Sequence, residues 1–222
     1  MIGIAHRGAS GHELENSMAA FKRAIELGIS VIELDVQRTA DNHFVVFHDS
    51  MLGRCTESGD KISEVSIKYL REEVRLKNGE PIPELFEVCQ LFKDNNTTTL
   101  IELKNEDSAT DVLSIVVEIL PWENFIIGSF FHKQIVQLKK SFPQVQTCIM
   151  FEGYLLDLPE YLKRAQVNFA AVGFDSASKV MVNEIKKTGV QALVWTVNDP
   201  DDIALAKNMR FDGIISNYPE RI

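Results

Sequence analysis

Residues 31 to 48 read VIELDVQRTADNHFVVFH. Over Val31 to Val36 the aliphatic residues alternate with Glu33 and Asp35, and a side-chain period of two puts both carboxylates on one face of a strand. Asp41 and Asn42 follow as turn formers that tolerate left-handed backbone, after which HFVVFH returns as a second apolar run. A two-residue hairpin at Asp41 and Asn42 folds residues 43 to 48 antiparallel onto the strand, so that Ala40 faces His43 and Asp35 faces His48. In that register an imidazole is delivered beside two carboxylates. The alternative is an edge hairpin whose charges are simply solvated.

Outside this stretch, short apolar runs alternate with amphipathic segments: IGIAH then SMAAFKRAIELG, TTLIELK then ATDVLSIVVEIL, FIIGSF then HKQIVQLKKSF, QTCIMF then LPEYLKRAQ, FAAVGF then SKVMVNEIKKTG, QALVWTV then DPDDIALAKNM, and finally DGIIS. Runs rich in Val, Ile and Phe between helix-length segments predict repeated βα units and a parallel sheet. With VIELDV these runs number eight, which predicts an α/β fold closed as a (β/α)8 TIM barrel. Asn16 or Ser17 can cap the first helix and Gly28 end it, Gly189 ends a later one, and Asp199 before Pro200 opens the last.

No low-complexity tract or linker divides the 222 residues, so one domain over 1–222 is expected. Apolar residues make up 45% and charged residues 25%, as in ordinary globular proteins, and no apolar run is long enough for a membrane span. The N-terminus lacks a basic region followed by an apolar stretch, so the expected location is cytoplasmic. Cys55, Cys89 and Cys148 are odd in number and widely spaced, which fits reduced, buried thiols rather than a disulfide framework or a zinc site. A net charge of −9 argues against nucleic acid as a partner, and a small anionic substrate requires a local cluster of cations.

Barrel enzymes keep their chemistry at the strand exits. The first strand leaves through His6, Arg7 and Gly8, the second through Glu33 and Asp35, the third through Glu102 and Lys104. If the three carboxylates converge they cannot all stay ionised without a cation between them, and an all-oxygen set suits one divalent cation, Mg2+ or Ca2+. The alternative is a network in which Lys104 alone neutralises them. His6 and His48 would flank the metal, where imidazole can act as base in one form and acid in the other. Arg7 offers a fork of donors matched to phosphate and Lys104 a point charge. His12, His43 and His132 have no such neighbours and read as surface or loop residues.

In this order and spacing, IAHRG, LENSMAAF, VIELDVQRTADNHFVVFHD, IPELFEV, LIELK, IGSF, LVWTVN and DGIISNYP resemble the glycerophosphodiester phosphodiesterase family along the whole chain. The resemblance implies a (β/α)8 fold with a small insertion after the second strand and its hairpin, here residues 50 to about 81. It also implies metal-dependent hydrolysis of glycerophosphodiesters to sn-glycerol 3-phosphate and an alcohol. By position, His6 and His48 correspond to the acid and base pair, Glu33, Asp35 and Glu102 to metal ligands, and Arg7 and Lys104 to phosphate contacts. Trp195 corresponds to a pocket wall beside the glycerol, with barrel core as the alternative. Glu15 and Asn16 correspond to a pair that serves the substrate end by orienting Arg7 or the metal site. Leu14, Asn42 and Glu84 depart from the family's usual Pro, Gly and Thr without removing a chemical group. Little chain follows the last strand, so the eighth helix is expected to be reduced or absent, and a homodimer contact is entertained on that side. Two other functions are weighed: phospholipase D-like cleavage of lysophospholipids, with Phe130, Phe131, Phe151 and Tyr154 lining an apolar approach, and an inactive phosphate-binding scaffold.

Overall fold

The computed structural model describes residues 1–222. In chain order the elements are β1 (Ile2–Ala5), α1 (Met18–Glu26), β2 (Val31–Arg38), β3 (Phe44–Val46), α2 (Ile67–Glu73), α3 (Leu85–Asp94), β4 (Thr98–Leu103), α4 (Ala109–Val117), β5 (Phe125–Ser129), α5 (His132–Ser141), β6 (Gln146–Phe151), α6 (Leu158–Ala165), β7 (Phe169–Gly173), α7 (Lys179–Lys187), β8 (Gln191–Trp195), α8 (Pro200–Met209) and β9 (Gly213–Ser216). Eight of the strands run parallel in the ring β1-β9-β8-β7-β6-β5-β4-β2, which the pairing of β1 with β2 closes. This is the closed barrel that the alternating runs predict. No helix is long and apolar enough to cross a membrane.

Strand alternation divides the core in two. Ile4, Leu100, Ile126, Cys148, Met150, Phe169, Ala171, Leu193 and Ile215 face inward and fill the barrel. Their outward neighbours, such as Ile32, Leu34, Val36, Ile101 and Val194, pack beneath the surrounding helices in a larger apolar layer. The same alternation sends Glu33, Asp35 and Glu102 inward, above the apolar plug.

The helix ends follow their residue chemistry. Ser17 caps α1 by accepting a hydrogen bond from the Ala20 amide, and Asp199 caps α8 by accepting one from the Asp201 amide, with Pro200 in the first turn. Gly28 and Gly189 follow α1 and α7 at φ +76° and +83°, a conformation most side chains avoid. Cys55, Cys89 and Cys148 are buried free thiols.

The hairpin forms, but one residue out of the expected register. Val36 pairs with Val46, Gln37 with Val45 and Arg38 with Phe44. The loop is three residues long: the Thr39 amide donates to the His43 carbonyl, the Thr39 hydroxyl oxygen accepts from the His43 amide, and Asn42 takes φ +62°. Asp41 holds the extra residue in place by accepting from the Thr39 hydroxyl and from the Ile67 amide at the start of α2. Extending this register puts Phe47, not His48, opposite Asp35, and the Phe47 amide does donate to the Asp35 carbonyl at 3.0 Å. A one-residue slip reverses every side chain.

After β3 the chain forms the 3-10 turns Leu52–Arg54 and Ile62–Glu64 and helix α2, closed by the bridges Met51 to Lys61 and Thr56 to Leu76. Ten buried residues, among them Val45, Phe47, Leu52, Ile62 and Leu70, give this segment an apolar core of its own. After β9 only the 3-10 turn Pro219–Arg221 stands where the other parallel strands are followed by a helix, as expected of a reduced eighth helix. Ile222 packs against the barrel there, and Gly3 leaves room for it: a Cβ at Gly3 would lie 3.1 Å from the Pro219 carbonyl oxygen and 3.4 Å from Ile222 Cβ.

Candidate active site

At the C-terminal mouth of the barrel, a cavity of about 210 Å³ is lined by His6, Arg7, Glu33, His48, Glu102, Lys104, Phe130, Met150, Glu152, Trp195, Thr196 and Ile215. Asp35 lies fully buried just behind it. Six of the residues singled out at the exits of β1, β2 and β4, namely His6, Arg7, Glu33, Asp35, Glu102 and Lys104, are therefore one cluster with His48.

Arg7 stands at its centre. Its backbone is left-handed, at φ +56°, which is costly for a side chain of this size and persists only when its surroundings impose it. They do so here: the Arg7 amide donates to Glu33 Oε2 at 2.8 Å, Nη1 donates to Glu15 Oε1 at 2.8 Å, and Nε lies 3.0 Å from Asp35 Oδ2. The next residue, Gly8, is at φ +82°, and a Cβ there would come within 2.7 Å of the Ala20 backbone. Only glycine lets the loop pass so close to α1.

The Asn16 amide nitrogen donates to Asp35 Oδ2 at 2.8 Å, so Asn16 orients the carboxylates while the neighbouring Ser17 caps the helix. Lys104 Nζ contacts Glu102 and pairs with Asp35 Oδ1 at 3.1 Å. Carboxylate oxygens of Glu33, Asp35 and Glu102 lie within 4.8 Å of one another. Two oxygens bound to one Mg2+ or Ca2+ are separated by at most about 4 to 5 Å. Three buried acidic groups set this close suit a divalent cation, and two basic side chains alone leave them short of neutralisation.

The titration behaviour agrees. Burial, then Asp35 and Glu102, raises Glu33 well above the usual carboxylate range; burial and Asp35 raise Glu102 to about 7. Burial also acts on Asp35, but Lys104 and Arg7 outweigh it and hold that group below its ordinary value. A cation in the cluster would favour the ionised form of both.

His6 and His48 reach the pocket differently. His6 continues the inward alternation of β1, and its Nδ1 is 2.6 Å from Asn217 Oδ1, so Nδ1 carries the proton and Nε2 is left free. His48 arrives because β3 stops at Val46: the chain bends, the Gln37 side-chain amide donates to the His48 carbonyl at 2.9 Å, and the ring turns toward the pocket. Its Nδ1 faces Asp49 Oδ1 at 2.5 Å, again leaving Nε2 free. Burial, with Arg7 next, lowers His6 to about 4; burial also lowers His48, against the opposing pull of Asp35.

The remaining expected residues fall partly at the cavity and partly away from it. Glu15 does not line the cavity; it lies behind Arg7, bonded to Arg7 and Arg54. Trp195 does line it, and Phe130 meets the indole edge-on at 5.5 Å. Phe151 is core, and Tyr154 is exposed and bonded to Glu184, so of the four aromatics proposed for an apolar approach only Phe130 borders this cavity. His132 is no loop residue: it opens α5, half-buried between the Met150 carbonyl and the Tyr161 hydroxyl. Glu152 was not anticipated, although Cys148 and Met150 face inward and the same alternation carries Glu152 to the rim. Asn217, Asp49 and Arg54 were also missed.

The model of the glycerophosphoryl diester phosphodiesterase family matches residues 6–221. A glycerophosphodiester phosphodiesterase of Caldanaerobacter subterraneus is 31% identical over 99% of this chain and 95% of its own. A human lysophospholipase D is 24% identical, over 99% and 84%. Among solved structures, an Oleispira antarctica phosphodiesterase in complex with its product sn-glycerol-3-phosphate superposes with a TM-score of 0.91 at 25% identity, covering 100% of this chain and 95% of that one.

Proposed function

The chain belongs to the glycerophosphoryl diester phosphodiesterase family, and from that membership we propose that it hydrolyses glycerophosphodiesters to sn-glycerol 3-phosphate and an alcohol, with a divalent cation and two histidines. The observation that carries this reading is the convergence of two imidazoles, each with a free Nε2, on the pocket that Glu33, Glu102, Arg7 and Lys104 also line, with Asp35 behind them.

Glu33, Asp35 and Glu102 are the residues that would hold the cation, Mg2+ or Ca2+. Bound there, it would supply charge neutralisation at the phosphate and would lower the pKa of the attacking hydroxyl. The protein's own groups do the rest. Arg7 and Lys104 receive the phosphate oxygens, the former already aimed by Glu15 and Asp35. Burial holds both rings below the ordinary imidazole value, which favours the neutral form that a base requires. One ring, neutral, takes at Nε2 the proton of the attacking hydroxyl, from water or the glycerol 2-hydroxyl, as the new bond to phosphorus forms; the other enters as the imidazolium, and its Nε2 proton passes to the leaving oxygen as the phosphorus–oxygen bond breaks. Trp195 and Phe130 form an apolar wall for the glycerol carbons.

The test is a panel of glycerophosphodiesters with choline, ethanolamine, glycerol and inositol head groups, each with Mg2+, Ca2+ or EDTA. Glycerol phosphate should appear with metal and cease with EDTA; no release from any member would reject the reading and favour an inactive scaffold. A second reading, cleavage of lysophospholipids, is favoured by the 41% exposed Phe130 at the rim and by the human relative. Faster turnover of lysophosphatidylcholine than of glycerophosphocholine would select it.

A further inference from the structure

The insertion after β3 touches the catalytic cluster through one side chain. Arg54 ends the 3-10 turn Leu52–Arg54, and that turn is anchored within the insertion: Leu52 is fully buried, and its carbonyl accepts from both the amide and the hydroxyl of Thr56. The guanidinium crosses to the barrel. Its Nη1 and Nη2 donate to the two oxygens of Glu15 at 2.6 Å each, and Nε donates to Asp49 Oδ2 at 2.5 Å. Each carboxylate spends another contact on a residue of the pocket, Glu15 on Arg7 Nη1 at 2.8 Å and Asp49 on His48 Nδ1 at 2.5 Å.

We propose that Arg54 is a positioning residue: it fixes Asp49 against His48 and Glu15 against Arg7, so that the insertion sets the mutual geometry of the proton-transferring ring and the phosphate-binding guanidinium. The inference rests on the phosphodiesterase reading for its kinetic consequences, though not for its geometry. Asp49 and His48 both lie on the irregular chain beyond β3, where no ladder holds them. With Arg54 gone, the Asp49 carboxylate is free to turn to water. The neutral ring can then carry its proton on either nitrogen and is free to turn, so Nε2 no longer meets the substrate in one orientation and one protonation state. Arg7 keeps Asp35 but loses the brace on Glu15. Lysine replaces this poorly, because a single ammonium cannot serve a carboxylate bidentately and a second one at the same time. The side chain is 47% exposed, so an ordinary surface ion pair would contribute little to stability and nothing to turnover.

The test uses full-length Arg54→Met and Arg54→Lys, with Mg2+ and glycerophosphocholine, alongside ¹⁵N NMR of the imidazoles. For Arg54→Met, kcat should fall about 10- to 100-fold with KM changed by less than about 3-fold, and the Lys variant should recover part of the loss. His48 should pass from protonation at Nδ1 alone to a mixture of tautomers. Asp49→Ala should produce the same tautomer change, and combining it with Arg54→Met should cost little more than either alone. A folded Arg54→Met enzyme with wild-type kcat would overturn the proposal, as would an unchanged His48 tautomer, Nε2 protonation already in the wild type, or fully additive losses in the double variant. If Arg54→Met does not fold, Asp49→Ala alone decides through the tautomer. A wild-type protein inactive on every diester would end the functional reading and leave the NMR test standing.

Discussion

The two halves of the barrel mouth are built on opposite plans. From β1 to β4 the exits are crowded with charge: Arg7, Glu33, Asp35, Glu102 and Lys104 are bonded to one another, His6 and His48 are held from behind by Asn217 and Asp49, and Glu15 and Asn16 stand behind Arg7 and Asp35. From β5 to β8 the rim is Phe130, Met150, Glu152, Trp195 and Thr196, joined by an aromatic edge contact, and neither Phe130 nor Glu152 is bonded to the opposite side. One half fixes atoms; the other supplies shape. Under the proposed function the first would take the phosphate and the second the glycerol carbons beside it.

The contrast makes the two halves fail differently. Removing an imidazole from the charged half, by His6→Ala or His48→Ala, should lower kcat by at least about 100-fold in a folded protein; a variant with near wild-type turnover would take that ring out of its role. Next in size is the response to metal. Glu102 is raised to about 7 from 4.5, and a raised acid contributes stability that is complete below its ordinary value and lost as pH climbs through the folded one. Without divalent cation, Tm should therefore fall between about pH 5 and about pH 8, and added Mg2+ or Ca2+ should raise Tm more at the higher pH, where ligand protons no longer compete. Calorimetry showing the same increment at both would mean that these carboxylates are not the ligands. The smallest effect belongs to the other half: Trp195→Ala should raise KM about 2- to 10-fold with a lesser change in kcat, the scale of one aromatic contact. A loss of kcat as large as that of the histidine variants would erase the distinction between the halves.

What could be read in the sequence was whatever alternation controls. Glu33, Asp35 and Glu102 point inward because their neighbours Ile32, Leu34 and Ile101 point outward, and that pattern is printed in VIELDV and LIELK. Alternation could also have found Glu152, two places beyond Met150. His48 was anticipated by faulty means: the assumed two-residue turn overlooked Thr39, whose hydroxyl ties Asp41 and the His43 amide into a longer loop. The ring still arrives, because the strand breaks before alternation can turn it away. The Arg54 clip was beyond such reading, since its partners are 39 residues upstream and 5 residues upstream on irregular chain, where no period relates them.

β2 changes neighbours partway along its length. Its first residues, Val31 and Ile32, are bound to β1, whereas Val36 to Arg38 are bound to the hairpin strand β3. The hoop is thus complete below the point at which the hairpin begins, and the rim segment is an attachment rather than a stave. In native-state hydrogen exchange, amides of β3 should open together with the insertion, at a lower free energy than those shared by β1 and β2. The fold can in this way refit one lip of its catalytic mouth, in length or in sequence, while the cylinder beneath stays closed.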